Sequence, residues 1–385
     1  MIPDGGLTFQ PPITVLNMSG GVSCLTSGNN TCWLMLPKRS TFWTQLDATP
    51  QWVLDHITPL RILTKSYFQS ADELHDPIPD SALYLPTSRP DISDVTQFRR
   101  WFGLSTAFAA QEKHTTALRA ERIGKQILFC RDTLFALQRS YLFAMDHTFQ
   151  EENISYPEDG NVHFMLNKYA TDIGYRTHTC LNELQGLRDF LLYYIFEDMY
   201  LKNIGIVDGL KMIQANDKFN FGSLLSHMFS NGDPMGPIAL MSLYRNVFFH
   251  FTGTSNNPLG QAYCFRETES MFGRVPYLIY PLHDDLARLK AIERRAPLGE
   301  GTKHDRQKEA ERFMKLSNYR DGLEFCYDSF LALLLLSSAI ERKVDLASET
   351  VTLTDSDILQ ATVRNSDGTV HHYAKGPDGK LVEGS

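Results

Sequence analysis

Length, composition and charge set the first limits on this chain. It has 385 residues, of which 43% are hydrophobic, so it can fill at least one sizeable core in two or three modules. The formal net charge of −8 argues against a protein that coats nucleic acid with its whole surface, and any RNA contact must use a local patch. The first residues lack the basic start and the apolar run of a secretory signal, from which we expect a cytoplasmic protein.

Cysteine and hydrophobic patterns exclude further classes. The six cysteines form no Cys-x-x-Cys pair and have no metal-ligand spacing with the histidines, so we expect reduced, mostly buried thiols, no metal and no cofactor. The longest strongly apolar run, residues 330–340, is about half of the roughly 20 residues needed to span a bilayer. This run predicts a buried core helix, and no membrane contact is expected.

The first 105 residues differ in composition from the rest of the chain. They are rich in Gly, Pro, Ser and Thr, and short apolar runs such as ITVLNM and CWLMLP alternate with turn-forming clusters such as SGNN. This pattern predicts a small, irregular α+β region over residues 1–105.

A helical pattern begins near residue 106. Apolar side chains there recur at steps of four and three, which is the spacing of one face of an amphipathic helix. The longest series consists of Ile123, Ile127, Cys130, Leu134, Leu137, Tyr141 and Ala144. A second series, which predicts another helix, consists of Leu184, Leu187, Leu191 and Ile195. Residues 221–229 predict a third helix after a turn-like segment.

Proline and glycine positions bracket a further helix over residues 237–252. Pro237, which follows Gly236, suits a first helical position. Gly253 suits the left-handed residue that follows a helix end.

Two more helices complete the predicted helical domain, which spans residues 106–345. They cover residues 284–295 and 306–342, with a polar, Gly-rich break between them. In residues 346–385, Asp-Gly occurs twice between short alternating segments, which predicts a hairpin-like tail. The chain is therefore expected to be mainly α: a helical bundle with a small irregular α+β N-terminal region and a short C-terminal β-hairpin-like tail.

The 237–252 helix carries one polar stripe on an otherwise apolar surface. Its polar members are Ser242, Arg245, Asn246 and His250. At about 3.6 residues per turn, Asn246 and His250 lie one turn apart and Arg245 lies beside them. An arginine and a histidine are costly to bury without partners, so the stripe is expected to face a site or an interface.

These residue types suit the cleavage of RNA without a metal. A histidine with a pKa near neutrality can take the proton of the 2′-hydroxyl or protonate the leaving oxygen. An arginine fork can stabilise the charge that grows on the phosphoryl oxygens, and Asn246 can orient the imidazole or hold a phosphate oxygen. If the 2′-oxygen is the nucleophile, the expected product is a 2′,3′-cyclic phosphate.

The segment RNVFFH, at residues 245–250, resembles the Arg-x(4–6)-His signature of the HEPN superfamily in its frequent Arg-Asn form. Many members of that superfamily are metal-independent ribonucleases of toxin–antitoxin, abortive-infection and CRISPR-linked systems. They pair as dimers that bring two copies of the motif together. By this resemblance, which covers about residues 110–345, the catalytic residues are Arg245, Asn246 and His250.

The resemblance implies RNA as the substrate, a homodimer as the assembly, and an antitoxin or a sensor protein as a further candidate partner. A basic stretch follows the motif, since residues 286–315 hold nine Lys or Arg against five acids. It is a candidate phosphate-contact surface, although a solvated face of mixed charge explains it slightly better. The candidate substrate-binding residues are Ser242, Arg288, Lys290, Arg294 and Arg295.

Other interpretations of the same residues stay open. Arg245 and His250 can instead form a structural pair in a catalytically inactive module for dimerisation or partner binding. A second Arg-Asn segment, at residues 364–371, lies in the hairpin-like tail, where its arginine and histidine would not share a helix face. The His-Asp-Asp segment at residues 283–285 resembles a metal-ligand set, but two acids at a helix start explain it better.

Overall fold

The computed structural model describes the chain in separate stretches. These are residues 13–21, 23–26, 32–35, 43–46, 61–68, 83–84, 97–150, 163–165, 168–232, 234–251, 263–270, 273–283, 319–344, 360–364, 370–375 and 381–383. Most of the described residues are helical, which confirms the prediction of a mainly α protein. Small antiparallel sheets complete the regular structure of these stretches.

Seven α-helices lie in the described stretches, and their buried faces follow the predicted periodicity. The helices are α1 (Gln97–Ala110), α2 (His114–Gln150), α3 (Lys168–Tyr193), α4 (Ile206–Ala215), α5 (Gly222–Met228), α6 (Pro237–Phe251) and α7 (Gly322–Glu341). The series that predicted α2, from Ile123 to Ala144, is completely buried, and so is the series that predicted α3. The last residue of that second series, Ile195, lies in a wider π-helical turn, Tyr194–Met199, that continues α3.

Helix α3 is the centre of the bundle. It packs against α2, α6 and α7, while α1 packs along α2. Its core side consists of apolar side chains with no exposed surface, among them Ile173, Cys180, Leu184, Leu187 and Leu191. Burial of each leucine or isoleucine contributes about 1.5–3 kcal/mol, so this face sets the rotation of α3 about its axis. The half-buried side chains of α3 include His178, Asn182 and Arg188.

Helix α7 is the predicted core helix. It has 20 residues and is long and apolar enough to cross a membrane by length and composition. However, 72% of its most apolar window is buried inside the protein. Trp101 of α1 donates a hydrogen bond from its indole nitrogen to the Ser337 hydroxyl, at 2.8 Å, deep in this packing. Burial against its neighbours therefore accounts for the apolar composition of α7, as predicted.

The N-terminal region contains an ordered antiparallel sheet. Its strands are β1 (Ile13–Met18), β2 (Ser23–Thr26), β3 (Cys32–Met35), β4 (Trp43–Leu46), β5 (Ile62–Phe68) and β6 (Leu83–Tyr84). They lie in the order β4-β3-β2-β1-β5-β6. The runs ITVLNM and CWLM that suggested short strands are β1 and β3, but the description of this region as irregular is wrong for these residues. Helix α1 runs through residues 105 and 106, where the predicted domains meet.

The turn between β1 and β2 brings this sheet onto the helical bundle. Gly21 has φ +79°, and a Cβ at this position would lie 3.0 Å from the Cβ of Tyr141 on α2. Only glycine combines this backbone conformation with so close an approach to a helix. Arg61, which precedes β5, also forms an ion pair with Asp328 of α7.

Two further groups of strands interrupt the domain that was predicted to be helical. Strands β7 (His163–Met165), β8 (Tyr263–Ser270) and β9 (Gly273–Ile279) form one antiparallel sheet, and β10 (Pro281–His283) pairs with β11 (Tyr319–Asp321). The helix predicted over residues 306–342 is therefore wrong at 319–321, because those residues are a strand and α7 begins only at Gly322. The helix predicted at residues 284–295 lies outside the described residues.

The hairpin-like tail is a three-stranded antiparallel sheet in the described residues. It consists of β12 (Gln360–Arg364), β13 (Val370–Lys375) and β14 (Leu381–Glu383), in that order. Each Asp-Gly pair falls between two of these strands, as the composition predicted. Arg364 pairs with Val370, and His371 lies opposite Val363. The second Arg-Asn segment therefore spans two strands and does not lie on a helix.

One buried carboxylate joins three elements at the start of α7. Asp321 accepts hydrogen bonds from the Tyr141 hydroxyl at 2.7 Å, from the Tyr280 backbone at 2.9 Å and, as the N-cap, from the Glu324 backbone at 3.1 Å. The Tyr141 oxygen in turn accepts a hydrogen bond from the Leu323 backbone. Burial raises the pKa of Asp321 to about 7, although these hydrogen bonds oppose the change.

We expect Asp321→Asn to change how the free energy of unfolding depends on pH. The unfolded carboxyl loses its proton near pH 3.9, whereas the folded one does so at about 7. Between these values the folded state binds more protons, so the stability from this group is complete below the unfolded pKa and is lost as the pH rises toward the folded pKa. In urea unfolding between about pH 4 and pH 8, the wild type should lose stability relative to the variant.

Asp328→Asn is the control for this prediction, because Asp328 lies on the same helix with about half of its side chain exposed. In this control, the free energy of unfolding should depend on pH as it does in the wild type. A wild-type curve parallel to that of Asp321→Asn would contradict a raised pKa in the folded protein.

Candidate functional site

The polar stripe of α6 lies on a half-buried surface of the helix. Ile238, Met241 and Tyr244 are at most 1% exposed, whereas Arg245 and Asn246 are partly exposed. Pro237, Ala239 and Val247 are partly exposed as well, so the exposed surface of this helix is wider than the predicted stripe. Helix α6 begins at Pro237, as predicted, and ends at residue 251. It includes the backbone of His250, the side chain of which lies outside the described residues.

The guanidinium of Arg245 is held by two amide oxygens. Its Nε donates to Oδ1 of Asn182 on α3 at 3.1 Å, and its Nη1 donates to Oδ1 of Asn246 at 3.3 Å. Arg245 and Asn246, which the sequence placed side by side, are thus joined directly. Asn182 adds a contact from a residue 63 positions earlier in the chain.

The contact continues from Asn182 to a histidine on the same helix. Nδ2 of Asn182 lies 3.2 Å from Nε2 of His178, one turn earlier on α3. Because Oδ1 of Asn182 accepts from Arg245, its Nδ2 is the donor and Nε2 of His178 must be the acceptor. This assignment makes His178 a neutral imidazole with its hydrogen on Nδ1.

The electrostatic surroundings of His178 also favour the neutral form. Burial lowers the pKa of His178, and the positive charge of Arg245 lowers it further. Hydrogen-bond geometry and charge therefore agree on the protonation state of this imidazole.

Ser242 takes part in a second contact between α3 and α6. Its hydroxyl accepts a hydrogen bond from Nη1 of Arg188 at 2.6 Å and donates to the carbonyl oxygen of Ile238 at 2.8 Å. Arg188 also forms an ion pair with Asp189 at 2.5 Å. The predicted substrate-binding hydroxyl of Ser242 is thus engaged inside the protein. We call the residues in these contacts the α3–α6 seam: His178, Asn182, Arg188, Asp189, Ser242, Arg245 and Asn246.

Sequence analysis did not find the part of the seam that lies on α3. His178 and Asn182 are four residues apart, and this spacing on a helix places them on one face. That signal was present, but many polar pairs on helix surfaces share it. Arg288, Lys290, Arg294 and Arg295, which were predicted to bind substrate, lie outside the described residues.

Other polar groups in the described residues do not join the seam. Glu197 and Asp198, in the π-helical turn, form ion pairs with Arg119 of α2. Asp198 also accepts a hydrogen bond from the Thr116 hydroxyl at 2.7 Å. The described residues contain no group of three or more His, Cys, Asp or Glu arranged to hold a metal ion. The cysteines with described side chains, namely Cys24, Cys130, Cys180, Cys264 and Cys326, are free and buried.

Comparisons with protein families, with curated proteins and with solved structures find no match to this chain. The chemistry of the seam must therefore support any proposal about function. A fixed guanidinium can bind or stabilise an anion, and a neutral imidazole nearby can accept a proton. Both groups are half-buried.

We expect Arg245→Gln to raise the pKa of His178. The substitution removes the positive charge that opposes protonation, while the burial of His178 remains, so the pKa should move part of the way back to its ordinary value. NMR titration of the histidine ring signals measures this shift. Arg188→Gln, which removes a different guanidinium from the same seam, is the control, and an equal shift in both variants would contradict a specific effect of Arg245.

Proposed function

We propose that this protein is a metal-independent endoribonuclease of the HEPN type, in which Arg245, Asn246 and His250 form the catalytic group. The observation that carries the proposal is the fixing of the Arg245 guanidinium between two amide oxygens at a half-buried edge. His250 follows Asn246 by four residues on the same helix, and so belongs to the same face of α6. In this proposal, two copies of the chain form a homodimer that brings two such faces together.

The proposed reaction is an internal transesterification of RNA. The 2′-oxygen attacks the adjacent phosphorus, the new bond closes a 2′,3′-cyclic phosphate, and the bond to the 5′-oxygen breaks. His250 takes the proton of the 2′-hydroxyl, or returns a proton to the leaving 5′-oxygen. Arg245 stabilises the negative charge on the non-bridging oxygens, which is greatest in the transition state.

The proposed biological role is that of a defence or toxin ribonuclease. A nuclease at a dimer interface can be controlled by a partner that covers the interface or changes the assembly. An antitoxin or a sensor protein is the corresponding partner, and cellular RNA is the substrate.

The test is cleavage of total RNA by the purified protein in the presence of EDTA. We expect wild-type protein to cut RNA and to leave 2′,3′-cyclic ends, which sequencing of the RNA ends detects. Arg245→Ala and His250→Ala should each lower kcat by about 100-fold or more, because each removes a group that acts in the transition state.

His227→Ala provides a matched control, because the His227 side chain is exposed on α5 and is not one of the seam residues. It should cleave RNA as the wild type does. If all three variants match the wild type, whether active or inactive, this site is not a ribonuclease site.

A second candidate function is a non-enzymatic module for dimerisation or partner binding. The observation in its favour is an exposed apolar face on α2, where Leu118, Phe129 and Phe143 are 56%, 53% and 44% exposed. They are 11 and 14 residues apart, close to whole numbers of helical turns, so they lie on one face. Exposed apolar side chains aligned on one helix face offer contacts that another chain can cover.

If α2 is the binding face, Phe129→Ser with Phe143→Ser should lower the mass of the assembly without changing any RNA. Light scattering after size exclusion measures that mass. Val207→Ser, at a residue of α4 that is 66% exposed, is the control and should leave the mass unchanged. A wild type that stays monomeric when concentrated, and binds no partner through this face, contradicts the second candidate.

A further inference from the structure

We propose that His178 and Asn182 are positioning residues, which act together to hold the Arg245 guanidinium in one orientation. Asn182 accepts from Nε of Arg245, and the neutral imidazole of His178 accepts from the Asn182 amide nitrogen and so stabilises the orientation that Arg245 requires. This inference rests on the proposed function for its role in catalysis. The arrangement itself is independent of any reaction and can be measured without RNA.

The donors and acceptors of this chain of contacts determine one another. An asparagine amide has an oxygen that only accepts and a nitrogen that only donates. Arg245 offers only donors, so the oxygen of Asn182 must face it at the observed 3.1 Å. The nitrogen then faces His178 at 3.2 Å, where only an unprotonated Nε2 can accept. The orientation of the amide is thus linked to the tautomer of the imidazole.

Without His178, Nδ2 of Asn182 would lose its acceptor, and the amide would lose one of the two contacts that hold it. The amide would then turn more freely, and a turn away from the observed orientation weakens the bond that Nε of Arg245 donates. Of the two amides that bind Arg245, Asn246 is an adjacent residue of the same helix. The contact with Asn182 is the one of these two that fixes the guanidinium relative to α3.

The charged groups around His178 support its neutral form. Arg245 of α6 is the charged group that lowers the pKa of His178, in addition to burial. Cys326 of α7 contacts Cys180 of α3. This contact and burial raise the pKa of the Cys326 thiol, so the thiol is uncharged at neutral pH. The other charged groups along this part of α3 have partners of their own: Arg176 with Asp172, Glu183 with Gln126 of α2, and Arg188 with Asp189.

The first experiment reads the tautomer of His178 by NMR of protein labelled with nitrogen-15 histidine. The wild type should carry its hydrogen on Nδ1 at neutral pH, and His178→Ala identifies the signal. Asn182→Asp keeps an acceptor for Arg245 but offers His178 no donor, so the hydrogen should move to Nε2 or the ring should become protonated. Asn203→Asp, at an exposed position, is the control and should leave the His178 signals unchanged.

The second experiment reads the guanidinium of Arg245 by NMR. In the wild type its Nε–H should be protected from exchange, and the protection should be lost in His178→Ala. His178→Gln should restore it, because a glutamine oxygen can accept from Asn182 at the place of Nε2. A residue that serves only the stability of the fold would not produce this selective loss and rescue, and thermal unfolding of each variant checks that the fold is intact.

The third experiment measures cleavage kinetics. His178→Ala and Asn182→Ala should lower kcat by up to about 100-fold with little change in KM, because a misplaced guanidinium weakens binding of the transition state. His178→Gln should regain most of the loss. An unchanged kcat in His178→Ala, from a wild type that cleaves RNA, overturns the positioning role.

The outcomes separate this inference from the proposed function. A hydrogen on Nε2 of His178 in the wild type, or an Arg245 signal that His178→Ala does not alter, overturns the inference even if the protein cleaves RNA. A wild type that cleaves no RNA, with the expected tautomer and the expected loss and rescue of protection, overturns the ribonuclease and supports the arrangement of the arginine.

Discussion

The burial of α3 on three sides is the constraint on which the rest of this structure depends. Its apolar residues must face α2, α6 and α7 together, so rotation of the helix would expose several leucines at a cost of about 1.5–3 kcal/mol each. With the rotation set, one part of the polar surface of α3 faces α6. His178, Asn182 and Arg188 meet α6 there because no other orientation of α3 keeps the core closed.

Several charged groups of the described residues have ion-pair or hydrogen-bond partners, because a buried charge without a partner is costly. Arg119 binds two carboxylates in the π-helical turn, and Asp321 receives three hydrogen bonds at the start of α7. The guanidinium of Arg245 donates to the neutral amides of Asn182 and Asn246. Hydrogen bonds to amide oxygens orient a guanidinium without changing its positive charge.

Hydrophobic spacing predicted the helices well, and it predicted the strands of the helical domain poorly. The faces of α2 and α3 follow from apolar residues that recur every three or four positions, because each face lies against one continuous core. The bounds of α6 were predicted instead from Pro237 and Gly253. The residues of strands β8 and β9 were not predicted from apolar spacing. Their pairing joins residues across a short turn and to β7, about a hundred residues earlier. The start of α7 was misplaced because Asp321, an N-cap, lies inside a pattern that continues smoothly through it.

The spacing of residues predicted a mainly helical protein and placed Arg245 and Asn246 on one face of α6. These properties depend on the local geometry of a helix and on the cost of burying polar groups. The residues that complete the seam became visible only in the packed helices, since Asn182 contacts Arg245 and His178 from α3. Contacts between distant parts of the chain depend on how several apolar faces pack together, and the residue spacing within one segment does not predict them.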